Sequence, residues 1–466
     1  MTKVRSESEV LADIEELCIS SGYIHAISYI CFRDNILKPE NDELSVDDLL
    51  NQYSHERLIR SEISTLLGFT LKKDIDYTIP SAQILQTYID KTDKLLKELH
   101  EAINAPAQEV FFDILKHKKD ENPFTKGELL KEAIFYSAES AYDFQYLELI
   151  TQKYQSDNQW IKENKGFDVD DIIAVVQAII EIQLEKANNL SETLLALHPS
   201  KWTSLDIYEV KVNEICNKTN FSDTFVINIL DSFTSKIGNE IFLELGDYNT
   251  INSHPFIKKD TNNYLLFHHY SILEAVYESP FHWFLKDEKY ISTASDNRGV
   301  FTENFSAEML SKVFGEKNVY KNIDIYENKK RVGEIDVLIV FGNRAIILQA
   351  KSKKLTLGAR KGNDKLIAKD FKKAIQDSYN QGNDCAKFIQ DSAYQLSDSN
   401  KNELSLRKDF KEIYIFCTVS DHYPSLPFQT QQFLKYEETE IIKPPFIMDI
   451  FLLDVMVEML SNPLYF

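Results

Sequence analysis

The sequence predicts a chain of more than one domain, in which an α-helical N-terminal part is followed by an α/β part. Three observations lead to this prediction. Apolar residues recur at helical spacing through most of residues 1–295. Two β-branched apolar runs flank Gly342-Asn343, which is typical of a β-hairpin. Residues 301–466 contain 23 basic and 23 acidic residues, so the net charge of −21 lies entirely in residues 1–300.

The N-terminal part, residues 1–295, is predicted to be an acidic helical domain, with two subdomains as an open alternative. Its helical patterns cover residues 6–18, 57–67, 81–103, 125–153 and 168–197. Asp168 is placed to cap the last and longest of these, with further acidic residues in the first turn. We expect this part to bind a partner protein, to form a homo-oligomer or to shield a basic surface, and the sequence leaves these alternatives open.

The second part, residues 296–440, alternates between helical and strand patterns. The predicted elements, in order, are a helix over 303–314, a strand over 318–326, a polar turn at 328–330, the hairpin of 333–351, a helix over 367–389 and a strand over 412–418. The last segment, residues 441–466, passes through Pro444-Pro445 and is then predicted to be helical.

Polar side chains lie at the open end of the predicted hairpin. Residues two apart on a strand share a face. Glu334 and Asp336 therefore point to the same side of one strand, and Gln349 and Lys351 point to the same side of the other. A tight turn at Gly342-Asn343 would bring these two pairs opposite each other. Carboxylate and amide oxygens suit Mg²⁺, and a nearby lysine can orient the attacking water and stabilise developing charge. The pattern predicts a metal-assisted hydrolytic site; the alternative is a solvated strand end.

The combination Asp336…Gln349-Ala350-Lys351 resembles the PD-(D/E)xK nuclease motif in its Gln-x-Lys form, which occurs in Mrr-like restriction nucleases. The Glu-Ile-Asp context at 334–336 is similar to the nuclease-related (NERD-like) domains. The resemblance covers roughly residues 296–420 and implies a restriction-endonuclease-like α-β-β-β-α-β core. It also implies a metal-dependent endonuclease that hydrolyses phosphodiester bonds of DNA, with RNA as an alternative. Such domains are frequent in defence and repair systems, so kinship suggests a role in antiviral defence or restriction.

The resemblance implies a role for each matching position. Asp336 corresponds to the metal-binding aspartate and Lys351 to the catalytic lysine. Gln349 stands where most members carry Asp or Glu, so a further acid is expected to help, and Glu334 or Glu303 fits that role. The implied ligands of Mg²⁺ or Mn²⁺ are Asp336, Gln349 and Glu303. The reserve positions are Glu308 on the preceding helix and, for a glutamine that members often carry on the following helix, Gln381 or Gln376.

Basic residues surround the predicted site. Residues 329–373 contain 13 Lys and Arg but four Asp and Glu, against the acidic balance of the whole chain. A basic frame around an acidic pocket suits phosphate binding outside and metal binding inside. A solvated charged surface is the alternative. The side chains predicted to contact nucleic acid are Lys353, Lys354, Arg360, Lys361 and Lys365.

Several classes of protein are disfavoured by composition. No uncharged apolar run of 18 residues and no signal peptide is found, so we expect a cytoplasmic protein without membrane contact. The five cysteines are far apart, which favours reduced thiols over disulfides or a structural zinc. The net charge of −21 and the glutamine in the motif favour one alternative function. That alternative is a catalytically inactive nuclease fold acting as a nucleic-acid-binding or scaffold subunit.

Overall fold

The structure is a computed structural model that describes residues 4–35, 57–117, 126–137 and 141–466. The chain forms two compact units. The first comprises Met1–Pro123, Tyr146–Thr151 and Asp157–Trp283, and the second comprises Phe124–Gln145, Gln152–Ser156 and Phe284–Phe466. These units are defined by packing alone, whereas the predicted domains are defined by function as well. The predicted division at residues 295 and 440 therefore stays a prediction.

The first unit is mainly helical, as the sequence predicts. Its helices are Glu7–Cys18, Tyr23–Asn35, Arg60–Thr70, Ala82–His117, Asn158–Lys165, Val169–Asn188, Leu190–Leu195, Leu205–Tyr208, Val212–Thr219, Asp223–Ser232 and His269–Glu278. Capping fixes where two of them begin, because Ser6 and Asp168 each accept a hydrogen bond from the backbone three residues later. Within the part of the chain that the structure describes, no helix is both long and apolar enough to cross a bilayer.

The first unit also contains a small sheet that the sequence does not predict. Its strands are β1 Glu209–Lys211, β2 Thr234–Ser235, β3 Phe256–Lys258 and β4 Asn263–Leu265, in the order β1-β4-β3-β2. The strands are only two or three residues long, so no alternating pattern can develop in the sequence. The predicted helix over 125–153 is interrupted: Gly127–Tyr136 and Asp143–Tyr154 are helical, whereas residues 125 and 138–140 lie outside the described residues.

The second unit is built on a mixed seven-stranded sheet. Its strands are β5 Val319–Glu327, β6 Lys330–Phe341, β7 Arg344–Lys351, β8 Tyr394–Ser397, β9 Glu403–Leu404, β10 Glu412–Val419 and β11 Phe446–Asp449. The order across the sheet is β11-β10-β7-β6-β5-β8-β9. Strands β7, β10 and β11 run parallel, and the other neighbours are antiparallel.

Helices accompany the sheet of the second unit at the predicted places. The site helix, Ile291–Phe314, precedes β5, and the glutamine helix, Asp377–Phe388, follows the shorter helices Leu357–Arg360 and Asp364–Phe371. A single π-helical turn, Lys372–Gln376, joins the helix Asp364–Phe371 to the glutamine helix. The further helices of this unit are the inserted helix Gly127–Tyr136, Leu426–Phe433 and the C-terminal helix Ile450–Met459. Helix Pro280–Phe284 belongs to the first unit except for its last residue.

Both hairpin turns contain residues in left-handed backbone conformation. Asn328 and Lys329 have φ of 46° and 69° between β5 and β6. Gly342 has φ of 60° between β6 and β7, where Phe341 pairs with Arg344. Two-residue turns with positive φ match the twist of antiparallel strands, so they fix the strand register. The predicted hairpin is therefore present with the predicted turn.

The end of the chain differs from the sequence prediction. Residues 446–449 form the edge strand β11 before the C-terminal helix begins, and Phe446 to Asp449 pair with Phe416 to Val419 of β10. Four residues are too few to show a strand pattern against the strongly apolar helix that follows them.

The inserted helix contributes to the core of the second unit. Leu130 and Ile134 pack in one cluster with Leu355, Ile367 and Phe371. The backbone N–H of Gly127 also donates to the Asp364 carboxylate. A second cluster fills the other part of the unit, between the sheet and the glutamine helix; its members include Ile335, Leu338, Ile347, Tyr379, Ile413 and Ile415.

Candidate active site

The candidate site lies where β6 and β7 separate. Their backbone pairing runs from the turn to Val337 and Leu348 and goes no further. Beyond that point side chains replace the backbone hydrogen bonds. Asp336 Oδ2 accepts from the Ala350 N–H at 2.7 Å, and Gln349 Nε2 donates to the Glu334 carbonyl at 2.8 Å. Asp336 and Gln349 therefore face each other, as the turn position predicts.

Asp336 is a buried carboxylate whose pKa is affected by opposing interactions. Its side chain lies on a strand that is buried on both faces, and the residue is 7% exposed. Burial raises the pKa of the Asp336 carboxyl, and the Glu334 carboxylate adds to the rise. The Ala350 N–H and the Lys351 ammonium oppose it. A bound cation would favour the ionised form of this carboxyl.

Gln349 is fully buried, and its amide is held from one side only. Nε2 donates to the Glu334 carbonyl, whereas Oε1 is buried without a hydrogen-bond partner among the described residues. A buried acceptor without a partner costs free energy. The same Glu334 carbonyl also accepts from Gln381 Nε2 at 3.2 Å and from the Cys385 thiol at 3.3 Å. One peptide group thus orients several side chains of the site.

Lys351 is half-buried and tied to the glutamine helix. Its Nζ donates to Gln381 Oε1 at 3.2 Å, and its peptide oxygen accepts from the Ser420 N–H at 3.1 Å. Gln376 lies elsewhere, because its amide donates to the Lys435 carbonyl and accepts from the Lys435 N–H. Of the two glutamines that the sequence offers, Gln381 is the one in contact with the predicted catalytic lysine.

Glu303 reaches the same electrostatic environment from the site helix. The pKa of its carboxyl is raised to about 7, first by burial and then by the carboxylates of Asp336 and Glu334. Lys351 and Lys321 act in the opposite direction. A cation bound nearby would relieve the repulsion among these carboxylates. Glu308, the reserve position on the same helix, is exposed.

Glu334 contacts its neighbours through both its carboxylate and its peptide carbonyl, and its predicted role as a further acid of the site stays a prediction. Its carboxylate pairs with Arg331 at 2.6 Å, and Arg331 also pairs with Asp324 at 2.5 Å. Its peptide carbonyl, not its carboxylate, carries the hydrogen bonds that order the site. The carboxylate still influences the pKa values of Glu303 and Asp336.

The donor set fits a hard divalent cation that keeps part of its water shell. In the described ranges, no group of three or more His, Cys, Asp or Glu side chains is placed to hold a metal ion. Two carboxylates, Asp336 and Glu303, together with the unpartnered Gln349 oxygen form an open set. Mg²⁺ commonly binds through one or two carboxylates, waters and substrate phosphates. The residues present are therefore compatible with Mg²⁺ or Mn²⁺.

The basic loop after Lys351 is held by buried carboxylates. Asp370 accepts from the Thr356 N–H and hydroxyl, both at 2.7 Å, and lies 3.3 Å from Lys353 Nζ. Lys354 Nζ lies 3.7 Å from Asp421. Of the predicted phosphate contacts, Lys361 and Lys365 are exposed, whereas Lys353, Lys354 and Arg360 are half-buried. Their binding roles stay predictions.

A buried cluster of charged side chains lies next to the site, and the sequence does not predict it. Asp421, two residues after β10, contacts Lys153 at 2.8 Å and also Arg298. Lys153 and Asp421 are both almost fully buried. Lys153 lies 268 residues from Asp421 in sequence, and no local pattern signals such a contact. Only the fold brings Lys153, Arg298 and Lys354 around one carboxylate.

Comparison with known proteins agrees with the geometry. Residues 298–419 match the model of the nuclease-related domain family, NERD. The match begins in the site helix and ends with β10, so it contains Glu303, Asp336, Gln349 and Lys351. This part of the chain is a nuclease-related domain, as the resemblance predicts. No curated protein and no solved structure matches the chain.

Proposed function

We propose that this chain is a metal-dependent endonuclease with a restriction-endonuclease-like core, acting on phosphodiester bonds of DNA. The observation that carries the proposal is that Gln349 and, through Gln381, Lys351 are linked to the Glu334 carbonyl on the strand of Asp336, where two buried strands separate. Burying a charged group on such a strand costs folding free energy unless the group is paired or binds a ligand. Their place inside the nuclease-related domain supports use in phosphodiester chemistry.

Each side chain has a distinct task in this proposal. Asp336, Gln349 and Glu303 would hold Mg²⁺ or Mn²⁺, which when bound supplies Lewis-acid activation of the phosphate. Lys351 would position the attacking water and stabilise negative charge on the phosphate oxygens. Gln381 would fix the Lys351 ammonium through its 3.2 Å hydrogen bond. The exposed side chains of Lys361 and Lys365 would contact the phosphate backbone.

The wider context of the activity is part of the same proposal. We infer DNA as the first substrate class and keep RNA as the alternative. A cytoplasmic role in antiviral defence or restriction rests on kinship of the domain. Homo-oligomerisation and a partner protein for the acidic helical part are also proposals; light scattering and pull-down with the full chain test them.

A plasmid-nicking assay tests the proposal. We expect conversion of supercoiled to open-circular DNA with Mg²⁺ or Mn²⁺ and none with EDTA. Asp336→Asn should abolish the conversion, because it removes an anionic ligand. Lys387→Ala is a matched control, since Lys387 is an exposed residue of the glutamine helix paired with Glu437. Nicking that persists in EDTA, or in Asp336→Asn, would contradict a metal site at Asp336.

A catalytically inactive nucleic-acid-binding or scaffold subunit is the second candidate. It is favoured by Gln349 at a carboxylate position and by the open donor set. In that case DNA would bind with equal affinity in EDTA and in Mg²⁺, and no nicking would follow under any metal condition. Binding without nicking in both Mg²⁺ and Mn²⁺ decides for this candidate.

A further inference from the structure

Two aromatic rings are exposed side by side at the start of helix Asp143–Tyr154. Tyr142 and Phe144 are 59% and 53% exposed. Their ring centroids lie 5.6 Å apart, and the ring planes differ by only 8°. Single exposed aromatic residues are common on protein surfaces. A parallel, solvent-facing pair instead offers flat π faces on which a further planar group can stack.

The backbone that carries the aromatic pair is fixed by a buried side chain. Gln145 is 1% exposed, and its Oε1 accepts from the Tyr142 N–H at 2.9 Å. Its Nε2 donates to the Phe451 carbonyl at 3.1 Å and to the Asp454 carboxylate at 2.7 Å. Both acceptors lie in the first turns of the C-terminal helix. The pair is therefore preorganised, which lowers the entropic cost of binding a ligand.

The C-terminal helix starts at the same end of the parallel strands as the candidate active site. Lys351, Val419 and Asp449 pair in register across the parallel strands β7, β10 and β11. Strands are about 5 Å apart, so the Lys351 and Asp449 backbones lie about 10 Å from each other. Asp449 caps the helix by accepting from the Leu452 N–H. The helix that anchors the aromatic pair thus begins about 10 Å from the Lys351 backbone.

A half-buried basic side chain lies at the same end of the strands, beyond β10. Lys354 Nζ lies 3.7 Å from Asp421, which follows the strand between β7 and β11. A nucleic-acid strand that passes from Lys351 towards the aromatic pair would pass Lys354, whereas Lys153 is buried against Asp421 and neutralises it. Aromatic faces near a cationic side chain are how proteins bind single-stranded nucleic acid without sequence preference.

We propose that Tyr142 and Phe144 form a stacking platform for an unpaired nucleobase, so that the site prefers single-stranded or locally unpaired nucleic acid. This inference rests on the proposed function and deepens it by naming the form of the substrate. A base in a duplex is stacked on its neighbours and cannot lie on a protein ring unless it is unpaired.

Fluorescence anisotropy with the full chain tests the platform separately from cleavage. A labelled single-stranded oligonucleotide and the duplex of the same sequence are titrated in EDTA. The double variant Tyr142→Ala/Phe144→Ala should weaken single-strand binding at least about fivefold, the lower limit for losing one base–aromatic stack. Duplex binding should not change. The ring-preserving variant Tyr142→Phe/Phe144→Tyr should bind as wild type, and so should Phe112→Ala, which removes an exposed ring of the first unit.

Phe144→Trp adds a readout that does not depend on the alanine variant folding. Its tryptophan fluorescence should be quenched by the single strand and not by the duplex. Unchanged affinity in the alanine variant, equal loss for both DNA forms, or an unquenched tryptophan would overturn the platform. A changed oligomeric state with unchanged single-strand binding would overturn it too and would assign the rings to a protein interface. Single-strand binding without cleavage in Mg²⁺ or Mn²⁺ would remove the proposed function and leave the platform intact.

Discussion

At the scale of single residues, the Glu334 peptide carbonyl organises the candidate site. It accepts hydrogen bonds from Gln349, Gln381 and Cys385, and so it joins β6, β7 and the glutamine helix. Sequence spacing predicts that Asp336 faces Gln349, because the turn fixes the register. Sequence spacing does not predict this role of the Glu334 carbonyl, since every residue has a carbonyl and only the three-dimensional fold determines which donors reach it.

Substitution of Gln349 tests whether its oxygen serves a metal. Gln349→Ala removes both the oxygen and the hydrogen bond to Glu334, so it should lose cleavage and about 1 kcal/mol or more of folding stability. Gln349→Glu should keep cleavage, because an anionic oxygen suits Mg²⁺. The glutamate cannot donate to the Glu334 carbonyl, so we expect a lower melting temperature in EDTA and a larger rise on adding Mn²⁺ than in wild type.

Nicking rates and melting temperatures measured on the same preparations check this prediction. Cys417→Ser serves as a neighbouring control, since Cys417 pairs with Gln349 across the strand ladder without any predicted contact with metal. A Gln349→Ala protein with normal metal-dependent cleavage would remove Gln349 from the site and leave it a structural residue.

Glu303 predicts a pH dependence of stability in the metal-free protein. The pKa of its carboxyl is raised from 4.5 to about 7 in the folded state. The folded state therefore binds more protons than the unfolded state between these pH values, and stability falls as pH rises through them. Below pH 4.5 the contribution is fully present. In Glu303→Gln this part of the pH dependence should be absent.

Thermal melts in EDTA from pH 4.5 to 7.5 provide the comparison. The wild-type melting temperature should fall relative to Glu303→Gln over this range, and Mg²⁺ should reduce the difference. Glu308→Gln is the matched control on the same helix, because Glu308 is exposed. Parallel curves for wild type and Glu303→Gln would show that Glu303 does not share the charge environment of Asp336.

At the scale of elements, the inserted helix shows where sequence reasoning stops. The longer helices and strands between 303 and 418 could be predicted because each of them is clearly patterned. The contribution of Leu130 and Ile134 to the core of the second unit could not, because it joins segments more than 200 residues apart. Strands β1 to β4, β8, β9 and β11 were not predicted for a different reason, namely that two to four residues show no period.

Leu130→Ala tests the structural importance of the inserted helix. Leu130 is fully buried against the helix Asp364–Phe371 and the loop after Lys351. We expect a loss of about 2–5 kcal/mol in unfolding free energy, measured in denaturant. Leu195→Ala, at an exposed position of the first unit, should change stability little. A Leu130→Ala protein as stable as wild type would show that the helix does not contribute to this core.

At the scale of the whole molecule, charge is divided unevenly along the chain. Residues 301–466 are neutral overall, and residues 1–300 carry the net charge of −21. A first expectation is that a fragment from about residue 296 binds DNA more tightly than the full chain. Such a fragment lacks the inserted helix and Lys153, which belong to the second compact unit. Charge substitution in the full chain is therefore the better test.

Neutralising acidic side chains of the first unit should strengthen DNA binding at low salt. Asp90→Asn, Glu192→Gln and Glu240→Gln, all at exposed positions, change the net charge from −21 to about −18. The gain should disappear as salt screens the repulsion. Three substitutions of exposed Asn or Ser in the same unit serve as controls. Equal affinity for variant and wild type at low salt would mean that the acidic part does not repel the substrate.

The central claim is that Asp336 and Lys351 form a metal-dependent phosphodiesterase site. The most direct measurement is the nicking rate of one plasmid by wild type, Asp336→Ala, Lys351→Ala and the control Lys387→Ala, each in Mn²⁺ and in EDTA. We predict that wild type and the control nick DNA in Mn²⁺ alone, and that both site variants are inactive while melting as folded proteins. Cleavage at the wild-type rate by both site variants would contradict the account.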